Sequence, residues 1–153
     1  MITTLQLLIF VSYVGFLLYK FKKPLPSISD SWYELSFPLN LLFVVFTWSL
    51  GILTFLQGDS LWFTYAGAGL CFVGAARTFK NTDGVRTNYI HYSGAVVGIV
   101  GSLMGLLFQY GMWFPSILWL LSVIALKLTK SKDFTWWVEI SAFICIIMGY
   151  YLR

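Results

Sequence analysis

An all-α, polytopic transmembrane bundle of six spans is the fold class this sequence predicts, on three observations. Hydrophobic residues make up 59% of the chain and charged residues only 10%, against roughly 25% charged in water-soluble domains. Apolar runs close to the roughly 20 residues that cross a hydrocarbon core of about 30 Å recur along the whole length. Basic residues fall between those runs in alternation, which sets an orientation with both termini outside. The runs leave no stretch for a separate soluble unit, so residues 1–153 read as one transmembrane domain.

The first span is expected over residues 2–19. It is uncharged and stops at Lys20, Lys22 and Lys23, followed by Pro24 and Pro26. A cleaved signal peptide carries its charge before the apolar run and a small-residue cleavage site after it, so this segment is expected to stay in the mature protein. Loop 20–36 is polar and mixes Ser27, Ser29, Asp30, Trp32, Tyr33 and Glu34. Ser29 or Asp30 is placed to cap a short helix. An interfacial helix with Trp32 and Tyr33 in the headgroup layer is the expected structure, and a lid over a polar cluster its functional version.

Leu35 to Ala76 carries one charge, Asp59, inside the turn-forming run Gln57-Gly58-Asp59-Ser60. As one helix this stretch would extend about 63 Å at 1.5 Å per residue, twice the core thickness, so it divides into spans over 37–56 and 61–76. Thr87 to Leu126 divides in the same way at Gln109-Tyr110-Gly111, into spans over 89–109 and 112–127 with Pro115 in the first turn of the later one. The last span, 134–152, is flanked by Trp136, Trp137, Tyr150 and Tyr151, as aromatic belts flank membrane helices. Nine of the ten basic residues then sort into three alternate loops: Lys20, Lys22 and Lys23; Arg77, Lys80 and Arg86; Lys127, Lys130 and Lys132. Only Arg153 lies on the other side. The positive-inside rule puts the basic loops in the cytoplasm, and a multi-pass protein of a bacterial plasma membrane is the expected location.

Gly94, Gly98, Gly101 and Gly105 recur at three- and four-residue intervals with Ser102 among them, which stacks small residues on one helical face. Gly67, Cys71 and Gly74 form a matching set one span earlier, so these two helices are expected to pack closely. Cys71 and Cys145 both lie in apolar runs and read as small buried hydrophobes rather than a redox pair.

The polar residues that need an explanation lie toward the basic loops. His91 is the sole histidine and shares the small-residue face. Glu139 lies five residues into the last span, where an ionised carboxylate costs on the order of 3 kcal/mol and must face the bundle, be neutral or have a partner. Arg77 and His91 are its expected neighbours, with Asp30 and Glu34 folding over from the first loop. Together these five form the expected ligand or ion cavity.

Basic residues that read nucleic acid cluster on one polar face, whereas here they punctuate apolar spans, so nucleic acid is not an expected partner. Membrane lipids are. One histidine and two mid-span cysteines do not supply a standard zinc site, and no phosphate-cradling glycine loop, G-x-S-x-G elbow or CxxC pair is present. No catalytic residue, resident metal or cofactor is therefore assigned. Ser27-Ile28-Ser29-Asp30, then Phe37-Pro38-Leu39-Asn40, with Ile90-His91 and Ala95 opening a later span, resembles the Frag-type membrane family, itself distantly similar to membrane hydrolases of the alkaline-ceramidase type. The resemblance covers two short patches and implies that Asp30, Asn40 and His91 match metal-site positions. The remaining histidines of that site have no counterpart here, so it implies fold and topology more than chemistry.

The leading functional expectation is non-enzymatic: a cytoplasmic-side polar cavity that binds or passes a lipid headgroup, a proton or a small solute. One alternative is a metal-dependent lipid hydrolase using His91 with acidic co-ligands. The other is a structural or accessory subunit, with the glycine face meeting a membrane partner or a second copy of the chain.

Overall fold

The computed structural model describes residues 1–78 and 84–153, with side chains over 1–76 and 89–153. Among the described residues the chain is all α. Its helices are α1 (Ile2–Phe21), α2 (Ser31–Glu34), α3 (Leu41–Phe55), α4 (Leu61–Thr78), α5 (Gly84–Tyr110), α6 (Phe114–Leu128) and α7 (Phe134–Leu152), with a 3-10 turn at Ile28–Asp30. Three stretches, Ile2–Phe21, Tyr89–Tyr110 and Phe134–Leu152, are long and apolar enough to cross a membrane. The apolar helices Leu41–Phe55, Leu61–Ala76 and Phe114–Leu128 are shorter.

Helix ends follow local chemistry. Lys22 adopts a left-handed conformation after α1 and its N–H returns to Leu18 O at 2.9 Å, closing the last turn. Gly111 supplies the positive φ of 68° between α5 and α6, a conformation glycine takes without steric cost. Pro115 sits in the first turn of α6, where its missing N–H is no loss. The span expected from residue 37 starts later, at Leu41: Asn40 N returns to Ser36 O and Leu41 N to Pro38 O, so residues 37–40 form a turn that delivers the chain into α3. The polar loop is also not one interfacial helix. It is the 3-10 turn followed by the four residues of α2, and Leu25, Ile28 and Leu35 are buried.

The helices associate chiefly in the pairs α4 with α5, α3 with α4, and α6 with α7, while α1 rests on α3 and α7. Gly94, Gly98, Gly101 and Gly105 all face α4: a Cβ on Gly94 would lie 2.8 Å from Gly69 O, and one on Gly101 would lie 3.0 Å from Ala66 N. The reciprocal residue is Gly69, whose added Cβ would meet Gly94 O and Gly98 N at 2.6 Å. Gly67 and Gly74 face α3 instead. A Cβ on Gly67 would meet Gly51 O at 2.7 Å, and one on Gly74 would meet Trp48 Cδ1 at 3.0 Å. Two residues along a helix is a rotation of about 200°, so Gly67 and Gly69 address opposite neighbours.

One apolar core joins Phe10, Leu17, Phe43, Phe46, Leu70 and Trp136, and a second joins Phe63, Leu103, Leu106, Ile146 and Tyr150. Large apolar side chains also cover the outer faces, among them Leu8, Val11, Val45, Phe72, Val96 and Leu121. An apolar exterior of this extent suits lipid as its solvent. The bundle has two ends: a basic end, holding Lys20, Lys22, Lys23, Lys127, Lys130 and Lys132, and a far end, where Gln57, Tyr110 and Arg153 meet.

Candidate functional site

The loop between α1 and α3 folds inward over the basic end and is tied to α7 by two backbone groups. Trp136 N, one of the N–H groups that the first turn of a helix leaves without an intrahelical acceptor, donates to Pro26 O at 3.2 Å. Ile28 N donates to Glu139 Oε2 at 2.6 Å. Within the loop, Ser27 Oγ accepts from Asp30 N at 3.2 Å and lies 2.9 Å from Ser29 Oγ. Ser31 Oγ donates to Ile28 O and pairs with Tyr13 Oη, both at 2.6 Å, which fixes the loop to α1. Glu139 therefore holds a loop whose backbone would otherwise bury unsatisfied groups.

Beneath and beside this loop lies a cavity of about 410 Å³. Ser27, Ser29, Asp30, His91 and Glu139 form its polar part, while Val96, Val100, Trp119 and Val138 line an apolar part between α5 and the α6–α7 pair. Trp119 Nε1 donates to Val138 O at 3.4 Å, which holds the indole in place as part of that wall. Tyr92 and Val96 line the cavity and are themselves exposed on the outer face of α5, so the cavity opens sideways as well as toward the basic end. His91 is 3% exposed, with Nδ1 3.3 Å from Val73 O and its ring 6.4 Å from that of Phe43.

Three of the five expected cavity residues, Asp30, His91 and Glu139, thus line one space. Glu34 does not. It is exposed at the end of α2. The side chain of Arg77 lies outside the described residues. Among the described residues no three His, Cys, Asp or Glu side chains come together as metal ligands. Of Asp30, Asn40 and His91, the first and last line this cavity, while Asn40 precedes α3 and is not among the lining residues.

Sequence reasoning missed a second polar assembly, at the far end. Arg153 donates to Gln57 O, to Gln57 Oε1 and to Tyr110 Oη at 2.6 Å, and its guanidinium lies 4.7 Å from the centre of the Tyr110 ring. Gln57 Nε2 donates to Gln6 Oε1, and Gln6 Nε2 donates to Thr54 Oγ1 at 3.2 Å. Gln6, Thr54, Gln57, Ser102 and Tyr150 are all buried. A weak signal existed, since Thr3 and Gln6 share a face of a largely apolar helix and polar groups within spans turn inward. In comparisons with known proteins, no family model, no curated protein and no solved structure matches this chain, so its functional reading rests on geometry.

Proposed function

We propose that this chain is a six-span membrane protein, with its basic loops in the cytoplasm and both termini outside, that binds a membrane lipid in the cavity between α5 and the α6–α7 pair. The observation that carries the reading is the division of that cavity. Its end under the loop presents hydroxyls, carboxylates and an imidazole, and its flank presents Val96, Val100, Trp119 and Val138 toward the outer face. A lipid has the same division, and a pocket with an apolar body and a few fixed polar groups is the usual form of a small-molecule site. The polar residues lie at the basic end, at the depth where a cytoplasmic-leaflet headgroup sits.

Support for six crossings comes from the alternation of basic loops and from the antiparallel order of helices that brings Gln57, Tyr110 and Arg153 to one end. The three shorter helices are accommodated by local thinning of the bilayer, at fractions of a kcal/mol per Å of mismatch. A photo-crosslinking side chain placed at Val96, compared with one at Ile124 on the exposed face of α6, tests the lipid reading. Capture of one lipid class at Val96, against the bulk lipid mixture at Ile124, is the expected result. The same mixture at both positions would refute a specific site.

A further inference from the structure

The polar end of the basic-end cavity is rich in acceptors. Asp30 and Glu139 supply carboxylates, Ser27 and Ser29 hydroxyls, and His91 its imidazole. A backbone carbonyl only accepts, so the contact of His91 Nδ1 with Val73 O is an N–H donation, and in the neutral ring Nε2 is then the acceptor. Among the described residues no lysine or arginine lines the cavity.

The fold brings the two carboxylates to one wall. Ile28 N on Glu139 Oε2 and Trp136 N on Pro26 O hold the 3-10 turn against α7, and Asp30 is the last residue of that turn. Ser27 Oγ accepts from Asp30 N, which fixes the backbone at Asp30. The Asp30 carboxylate itself caps no helix and makes no hydrogen bond to a described residue. Two carboxylates on one wall favour a cation and disfavour a further anion.

We infer that the lipid bound here has a headgroup ending in a primary ammonium, as in phosphatidylethanolamine, with the ammonium seated beside Asp30 and Glu139. The inference rests on the lipid reading of this cavity and names the headgroup that the cavity takes. A primary ammonium is a compact charge with several N–H donors and no acceptor, which matches a wall of carboxylates and hydroxyls. The quaternary ammonium of phosphatidylcholine has the charge but no N–H to give. Phosphatidylglycerol has hydroxyls to give but brings a net negative charge beside two carboxylates. In the ethanolamine lipid the phosphate stands an ethylene unit away from the ammonium, toward the mouth of the cavity. Thr135 is exposed at that mouth, and the exposed Lys132 precedes it by one helical turn's worth of chain.

The test uses the full chain with a photo-crosslinking side chain at Val96, in vesicles of equal parts phosphatidylethanolamine, phosphatidylcholine and phosphatidylglycerol with identical acyl chains. Mass spectrometry of the captured lipid is expected to find the ethanolamine lipid ahead of each of the others by roughly tenfold, the worth of one charge-assisted hydrogen bond. Asp30→Asn keeps the size of the side chain and removes its charge, and is expected to reduce that ratio to a few-fold or less. Replacing the ethanolamine lipid by its N-acetyl derivative removes the ammonium without altering the protein, and capture of that lipid should fall to the level of the others. Undiminished capture of the N-acetyl lipid, preference for a lipid without a primary ammonium, or an ethanolamine preference that persists in both Asp30→Asn and Glu139→Gln would overturn the headgroup assignment alone. The vesicle mixture captured unchanged at Val96, as at Ile124, would overturn the lipid reading and the headgroup assignment with it.

Discussion

Glu139 shows how a single side chain carries structure and chemistry together. A carboxylate inside a span is costly unless it is partnered, and one partner of Glu139 is a backbone N–H, that of Ile28. The sequence marked the position as one that needs an explanation but could not name that donor, because backbone groups carry no residue identity and 111 positions separate the two. Glu139→Ala removes the acceptor and leaves Ile28 N buried, so stability should fall by about 1–3 kcal/mol. Glu139→Gln should lose much less. Thermal unfolding in mild detergent separates the two variants, and equal losses would show that the hydrogen bond is not what Glu139 contributes.

At the scale of elements, small residues decide which helices touch. The glycines of α5 could be read from their spacing, but spacing alone does not say which neighbour a face will meet. Gly67 and Gly74 pass the same test of periodicity as Gly94 and Gly98, yet they meet α3, while Gly69 meets α5. Substitutions should report that difference. Gly69→Ala sets a Cβ 2.6 Å from two backbone atoms of α5, which only a backbone shift relieves, so a loss of about 1–3 kcal/mol is expected. Gly15→Ala meets nothing within 4 Å and should gain up to about 1 kcal/mol from helix propensity. Unfolding midpoints of the pair check this, and a tolerated Gly69→Ala would contradict close α4–α5 packing. Turn residues were legible for a different reason. Gly111 marks its turn by residue type alone, since it takes a positive φ, whereas the later start of α3 depends on backbone bonds among residues 36–41, which no residue type announces.

For the whole molecule, what the sequence conveyed best was the all-α set of apolar helices, because hydrophobicity is additive along the chain and needs no partner. It conveyed lateral organisation poorly. The far-end assembly escaped notice because Gln6, Gln57 and Arg153 are each unremarkable alone, and 96 residues separate the arginine from the glutamine it holds. Folding turns these scattered groups into a second polar pole, so the bundle has polar groups gathered at both ends. The basic-end cavity adds a sideways opening, which no count of hydrophobic runs reveals. Lipid occupancy of that opening is the central functional claim. It is tested most directly by native mass spectrometry of the chain released from mild detergent, wild type against Val96→Trp/Val100→Trp, which fills the apolar flank. One retained lipid per wild-type monomer, and its loss in the variant with the fold preserved, is the expected result; a wild-type monomer that emerges without lipid, or a variant that keeps it, would contradict lipid binding at this cavity.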